Sequence, residues 1–321
     1  MAKYLITGGL GFIGHNVVQQ LERLGHTCLI VDSCTNYGII PDKEIRFLVS
    51  QRKKKVSSPI QTFDIRNKRR LQNTINSFKP DTVIHLASFP RQKVVLSDPE
   101  PGSEVMVTAL LNLLEASVAA SVEKFVYISS SMVYGNFSCI VPEEYPCSPI
   151  GSYAIMKYTG EQLVRDYSRQ YNIEHTIIRP SAVYGELDVN DRVIAKFIQQ
   201  ALVGATLVVK GADEVLDFTY VDDIANGIVL AATSKVANGK TYNMTRCDTH
   251  TATLLDAATL ITDIVGSGKI SVCPKDSNFP SRNKLSISKA KIDLGYNPTT
   301  NILEGFTRYA EWLRKNPILW S

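Results

Sequence analysis

The chain has 321 residues, of which 44% are hydrophobic and 21% charged, with 35 Lys and Arg against 31 Asp and Glu. A chain this long buries roughly 75% of the surface its unfolded form exposes, so no disulfide or metal staple is required for a core, and the composition is neither disordered nor collagen-like. A net charge of +4 lacks the basic stripe of a dedicated nucleic-acid binder.

Residues 4–7 read as a buried strand, and 13–24 carry apolar residues at helical spacing until Gly25 stops them. Residues 28–31, 60–63 and 82–85 give further strands. The long segment 33–59 holds the densest basic run, Gln51-Arg52-Lys53-Lys54-Lys55. This run is expected to be a solvated loop, the alternative being a landing site for an anionic ligand. Residues 105–119 form a strongly apolar helix, 125–129 a strand, 153–171 a helix and 175–179 a strand. Such alternation predicts an α/β fold, a doubly wound parallel Rossmann sheet with helices on both faces.

After Pro180 the rhythm becomes irregular. Helices are expected at 193–202, 225–232, 254–265 and 303–315, with a short strand at 207–209. This reads as a smaller mixed α/β C-terminal lobe. The expected division is 1–180 for the Rossmann domain, with 215–235 returning to it, and 181–321 for a substrate lobe. The six cysteines (28, 34, 139, 147, 247, 273) form no C-x-x-C pair, so no metal site is expected. The first residues are too short an apolar run for a signal peptide. No stretch of 18 apolar residues suggests a membrane span, and the expected location is the cytoplasm.

Gly8-Gly9-Leu10-Gly11-Phe12-Ile13-Gly14 follows the first strand and opens the first helix. Gly8 permits the tight turn, Gly11 lets backbone amides approach a pyrophosphate, and Gly14 lets helix and strand pack closely, with the helix N-terminus facing the phosphates. Asp32 ends the second strand, 18 residues past Gly14, where a carboxylate accepts bonds from an adenine ribose and repels a 2′-phosphate. The expected cofactor is therefore NAD rather than NADP. Asp64 and Ile65, after the third strand, are placed to flank the adenine.

Tyr153 and Lys157 are four residues apart on one predicted helix and share a face. Ser129-Ser130-Ser131 ends the preceding strand at the sheet edge where ligands bind. A phenol titrates near ~10 when unperturbed, and a neighbouring ammonium favours phenolate. Tyr153 is then suited to take a hydroxyl proton while a serine hydroxyl holds the reacting oxygen.

With these residues in place the chain resembles the extended short-chain dehydrogenase/reductase family, and within it the nucleotide-sugar epimerase/dehydratase branch. The matching stretches are 7–14, Asp32, Asp64-Ile65, 85–87, 126–135, 153–157, 179–185, 217–223, and near the end 288–290 with 294–296. The resemblance implies catalytic roles for Ser130, Tyr153 and Lys157, Ser130 being found by counting back from Val133-Tyr134-Gly135. It puts Ala87 at the nicotinamide ribose and Pro180 and Val183 at the nicotinamide end. Phe12, Ile13, Leu86, Ser88 and Ser129 complete the expected cofactor contacts, with Tyr153 and Lys157. It also implies a C-terminal lobe closing on a nucleotide-diphosphate sugar, and a homodimer built on the 105–119 and 153–171 helices.

Three departures bear on activity. Dehydratases of the family carry an Asp-Glu pair after the catalytic serine or threonine. This chain has Ser131-Met132, so elimination of water is not expected and decarboxylation loses support. Met106 stands where an Asn commonly precedes the helix, and Leu216 where an Arg often contacts the diphosphate. Arg192, Lys210 and Arg282 are candidates to compensate. Arg91, with Lys93, lies on a loop that reaches the sugar in relatives, and Ser131 and Met132 are further substrate-contact candidates. Cys139 and Cys147 precede Tyr153, and some relatives use a cysteine in ring epimerisation, although buried inert thiols are commoner. The leading expectation is an NAD-dependent nucleotide-sugar epimerase acting through C4. The alternatives are a 4-dehydrogenase or keto-sugar reductase that releases product, and a non-catalytic dinucleotide sensor.

Overall fold

The computed structural model describes residues 1–36, 40–89, 92–189, 191–247, 252–276 and 279–320, the side chain of Lys93 excepted. Its strands, in chain order, are β1 (Lys3–Thr7), β2 (Thr27–Asp32), β3 (Ile60–Thr62), β4 (Thr82–His85), β5 (Lys124–Ile128), β6 (Glu174–Pro180), β7 (Val183–Tyr184), β8 (Thr206–Lys210), β9 (Thr219–Tyr220), β10 (Lys240–Met244) and β11 (Lys269–Cys273). Seven of them form one sheet in the order β10-β6-β5-β4-β1-β2-β3, every neighbour parallel. The strand order reverses between β1 and β4, which opens a crevice at their carboxyl ends. Two small parallel pairs, β7 with β9 and β8 with β11, lie outside this sheet.

The period-2 geometry of a strand sends successive residues to opposite faces, and the core divides accordingly. Leu5, Leu29, Val83, Phe125 and Ile177 point to one side. Ile6, Ile30, Ile84, Val126 and Ile178 point to the other. Both faces being buried explains why these strands are continuous apolar runs rather than alternating ones. The helices are α1 (Gly14–Arg23), α2 (Asp42–Lys53), α3 (Lys68–Phe78), α4 (Gln92–Ser97), α5 (Pro99–Ser103), α6 (Ala109–Ala119), α7 (Ser152–Tyr171), α8 (Val193–Leu202), α9 (Val221–Thr233), α10 (Leu254–Val265), α11 (Ser288–Leu294) and α12 (Ile302–Arg314). Leu71, Leu110, Leu113 and Val164 on α3, α6 and α7 cover the first face. Val17, Leu21, Ile224 and Ile228 on α1 and α9 cover the second, continuous with α8, α10 and α12.

A π turn, Glu104–Thr108, leads into α6 and buries Met106 in the core, which accounts for an apolar residue there. The run Pro99–Ala119 has 21 residues and contains an 18-residue window with a mean hydropathy of 1.2, long and apolar enough by composition to cross a membrane. Half of it is buried within the protein, and a core helix has the same character.

The basic run 51–55 is not a solvated loop throughout. It is the end of α2, whose acidic residues Asp42 and Glu44 lie in the first turn and Arg52 and Lys53 in the last, the arrangement a helix dipole favours. Arg52 is 3% exposed. Its Nη2 and Nε donate to Leu187 O at 2.6 and 3.2 Å and its Nη1 to Leu10 O at 3.2 Å. Lys53, Lys54 and Lys55 remain exposed.

Two buried histidines make the fold sensitive to acid. His85, within 2.7 Å of Thr7 Oγ1, and His15, whose Nδ1 donates to Gly11 O at 2.9 Å, are both held down to about 3 by burial. In the unfolded chain each titrates near ~6.5. Between those values the unfolded state binds more protons, so stability falls as pH drops through 6.5. The melting temperature of the wild type therefore decreases more steeply from neutral pH to about 5 than that of a His85→Asn variant. Parallel slopes in thermal melts would remove His85 from this account.

Candidate active site

At the carboxyl edge of the sheet lies a cleft of about 800 Å³. Its floor is the glycine loop. Gly8 has φ +70°, and a Cβ on it would meet Ala87 N at 2.6 Å; a Cβ on Gly14 would meet Gly8 O at 2.1 Å. Only glycine allows the loop to fold this tightly against β4 and α1. No side chain caps the N-terminus of α1, and its first turn carries no acid, which leaves the positive end of the helix to an external anion. Asp32 at the end of β2 accepts from Leu10 N and Cys34 N, both at 2.8 Å. Two carboxylate oxygens have about four acceptor sites, so room remains for ribose hydroxyls. Arg52 ties the same loop, through Leu10, to Leu187. These features fit a dinucleotide.

The reacting end is built from β5 and α7. Ser130 follows β5 in extended conformation and its Oγ accepts from Met132 N at 3.2 Å. Burial raises the pKa of the Tyr153 phenol, while Arg192, the nearby Ser130 hydroxyl and Arg282 pull it down. Lys157, one helical turn on, does not spend its charge on the phenol as the sequence suggests. Its Nζ donates to Ile128 O at 2.8 Å and lies 5.3 Å from the Tyr127 ring centroid. Burial lowers Lys157 to about 7, against the opposing influence of Glu161.

Glu161, a further turn along α7, is fully buried. It pairs with Arg179 through Nε at 2.9 Å and Nη2 at 2.6 Å, accepts from Ser129 Oγ at 2.6 Å, and meets Arg165 at 3.2 Å. Arg179 Nη1 donates to Tyr134 Oη at 2.8 Å, which in turn donates to Asn243 at 2.7 Å. Sequence reasoning missed Glu161 and Arg52. The only signal for Glu161 was its spacing of four from Lys157, which a surface glutamate shows equally often.

The cleft gathers nearly all the residues singled out in the sequence. Gly8, Gly11, Phe12, Ile13, Gly14, Asp32, Asp64, Ile65, Leu86, Ala87 and Ser88 line the β1–β4 side. Ser129, Ser130, Ser131, Met132, Tyr153, Lys157, Pro180 and Val183 line the reacting end, and Arg192, Lys210 and Arg282 line the same cleft. Ser129 turns its hydroxyl to Glu161. Asp64 is paired with Arg66 at 2.9 Å. Leu216 lines the cleft as well. Arg91 lies outside the described residues. Cys147 sits beside Arg179, its thiol raised by burial, and Cys139 is exposed.

The model of the NAD-dependent epimerase/dehydratase family matches residues 4–245. The chain belongs to this family. The resemblance expected from the glycine loop and the Tyr-Lys pair is met, and so is the Rossmann-type sheet. Among relatives of this epimerase/dehydratase, an uncharacterised UDP-glucose epimerase of Bacillus subtilis is 30% identical, over 97% of this chain and 98% of its own length. The solved UDP-glucuronic acid 4-epimerase of Bacillus cereus, in complex with UDP-glucuronic acid and NAD, superimposes with a TM-score of 0.89 at 27% identity, covering 98% of this chain and 99% of its own. The UDP-glucose 4-epimerase of Thermotoga maritima, solved with UDP-glucose, gives 0.87 at 25% identity, over 98% and 99%.

Proposed function

We propose that this protein is an NAD-dependent nucleotide-sugar epimerase that oxidises and re-reduces a ring hydroxyl, at C4. The observation that carries the reading is that Ser130, Tyr153 and Lys157 line one cleft with the glycine cradle. NAD, when bound, supplies the acceptor and later the donor of a hydride. Tyr153 takes the hydroxyl proton and later returns it. Ser130 holds the reacting oxygen through the transfer. Lys157, with burial drawing its pKa toward neutrality, fixes the cofactor end of the helix. Asp32 binds the adenine ribose. Named 4-epimerases among the relatives support the choice of carbon. The pair Ser131-Met132 offers no acid or base for removing water.

On this reading residues 1–180 hold the cofactor, with 215–235 returning to that part, and 181–321 hold the nucleotide sugar. The helices at 105–119 and 153–171 form the interface of a homodimer. Their outer sides keep partly or fully exposed apolar residues, among them Leu111, Ile155 and Leu163, as a homodimer face requires. Six free cysteines suit a reducing compartment, and the cytoplasm is the proposed place of action. Incubation with NAD and a panel of UDP-, GDP-, dTDP- and CDP-sugars tests the activity. A new chromatographic peak of unchanged mass is expected. A product lighter by two hydrogens would make it a dehydrogenase, and loss of one water would overturn the argument from Ser131 and Met132.

A further inference from the structure

We propose that Arg52 is a positioning residue for both ligands, holding the glycine loop that receives the dinucleotide and the segment 185–192 that borders the sugar nucleotide. The second half of this assignment rests on the nucleotide-sugar reading above.

Arg52 belongs to the last turn of α2, yet it is buried and lines the cleft. Among the described residues no carboxylate forms an ion pair with it. Burial lowers its pKa to about 10, opposed by Asp188 and Asp32 acting through space, so it is charged at neutral pH. A guanidinium has five N–H donors in a fixed fork. Here Nη1 serves Leu10 O at 3.2 Å, while Nε and Nη2 serve Leu187 O at 3.2 and 2.6 Å. Hydrogen bonds from an ionised donor are stronger than neutral ones. Leu10 stands between Gly9 and Gly11, and its own N–H goes to Asp32 at 2.8 Å. Asp32 and Arg52 therefore fix this loop residue from its two sides.

Leu187 is where the second loop needs support. Its φ is +64°, a left-handed conformation unfavourable for a residue that carries a Cβ. Strained backbone of this kind persists only where its surroundings over-determine it. The two donors of Arg52 on Leu187 O supply that hold from outside the segment. The residues that follow, Asp188, Val189 and Arg192, line the cleft, and Arg192 leads into α8. One cation thus serves the loop that a pyrophosphate orders and the wall that a sugar nucleotide meets. Ordering of the glycine loop by the dinucleotide fixes Arg52 and, through it, segment 185–192. The second ligand then meets a wall already ordered and binds more tightly. Linkage makes the effect reciprocal, so the nucleotide also tightens NAD.

Calorimetry on the full chain tests this, with UDP, GDP, dTDP and CDP as probes, each titrated without NAD and at saturating NAD. In the wild type, NAD is expected to lower the Kd of the nucleotide that binds by roughly 5-fold or more. In Arg52→Met, which removes the donors, NAD and the nucleotide each bind more weakly and the effect of one on the other disappears. Arg52→Lys keeps a buried charge, but a single ammonium cannot serve both loops. It is expected to lose the same coupling, and it is the variant to use where Arg52→Met does not fold. A purely structural role would lower the melting temperature of the variants and leave both Kd values and their coupling in place, which would overturn the proposal. A wild type in which NAD leaves the nucleotide Kd unchanged overturns it as well, whether or not a variant folds. Binding of none of the four nucleotides overturns the nucleotide-sugar reading and this inference with it.

Discussion

Substitution of Tyr153 by Phe lowers turnover of the nucleotide sugar by roughly 10²–10⁴-fold, the range a positioned acid–base group supplies, and leaves NAD affinity unchanged. The variant removes one oxygen and keeps the ring, which packs against the core on the α7 side. The oxygen is the proton acceptor of the proposed reaction, and the substitution removes it alone. Burial is the largest influence on this phenol and raises its pKa; Arg192, Ser130 and Arg282 act against it. Wild-type turnover therefore rises with pH over the alkaline range, as the phenol loses its proton. In Tyr153→Phe that rise disappears together with the rate. Fluorescence titration with NAD and a turnover assay check the two halves separately. A variant keeping more than about a tenth of wild-type turnover would exclude Tyr153 as the proton acceptor, because one-tenth lies outside the expected range. A sensor protein would show unchanged function in the same experiment.

The parts of the molecule readable in the sequence share a physical cause. β1, β2, β4, β5 and β6 are buried on both faces, so their apolar runs leave little choice of structure. The glycine loop is readable because sterics admit no other residue at Gly14. β10 escaped notice because its sequence, KTYNM, is polar in composition. Its Asn243 is buried yet satisfied, donating from its backbone to Glu143 at 2.8 Å and accepting from Tyr134. Such a partner is invisible in a linear pattern. α2 was hidden by the density of charge at its end, where one of the cations, Arg52, turns inward to carbonyl groups of two distant loops. The same limitation concealed Glu161. A charged residue reads as surface unless its partner is known, and the partner, Arg179, is 18 residues away on β6.

The second large effect follows from that pair. Replacing Glu161 with Gln is expected to destabilise the fold by about 3–5 kcal/mol, because it leaves a buried cation uncompensated. Arg179 is 3% exposed and cannot recover the lost interaction from water. The amide accepts through one oxygen only, so Ser129 Oγ and the two Arg179 donors compete for it. Urea unfolding monitored by circular dichroism measures the loss. A double variant, Glu161→Leu with Arg179→Met, is expected to recover part of it, since removing both charges also removes their desolvation. Additive losses in the double variant would show that the two side chains act independently. The pair also bears on the reaction, because Glu161 is the group that opposes the burial of Lys157. Without the carboxylate the ammonium loses its proton at still lower pH than about 7. The pH at which activity begins to depend on Lys157 should therefore move toward acid in Glu161→Gln. A purely structural pair would lower stability and leave the pH profile in place. A shifted profile in a variant still folded at the assay temperature would make Glu161 the residue that positions and charges Lys157 from behind.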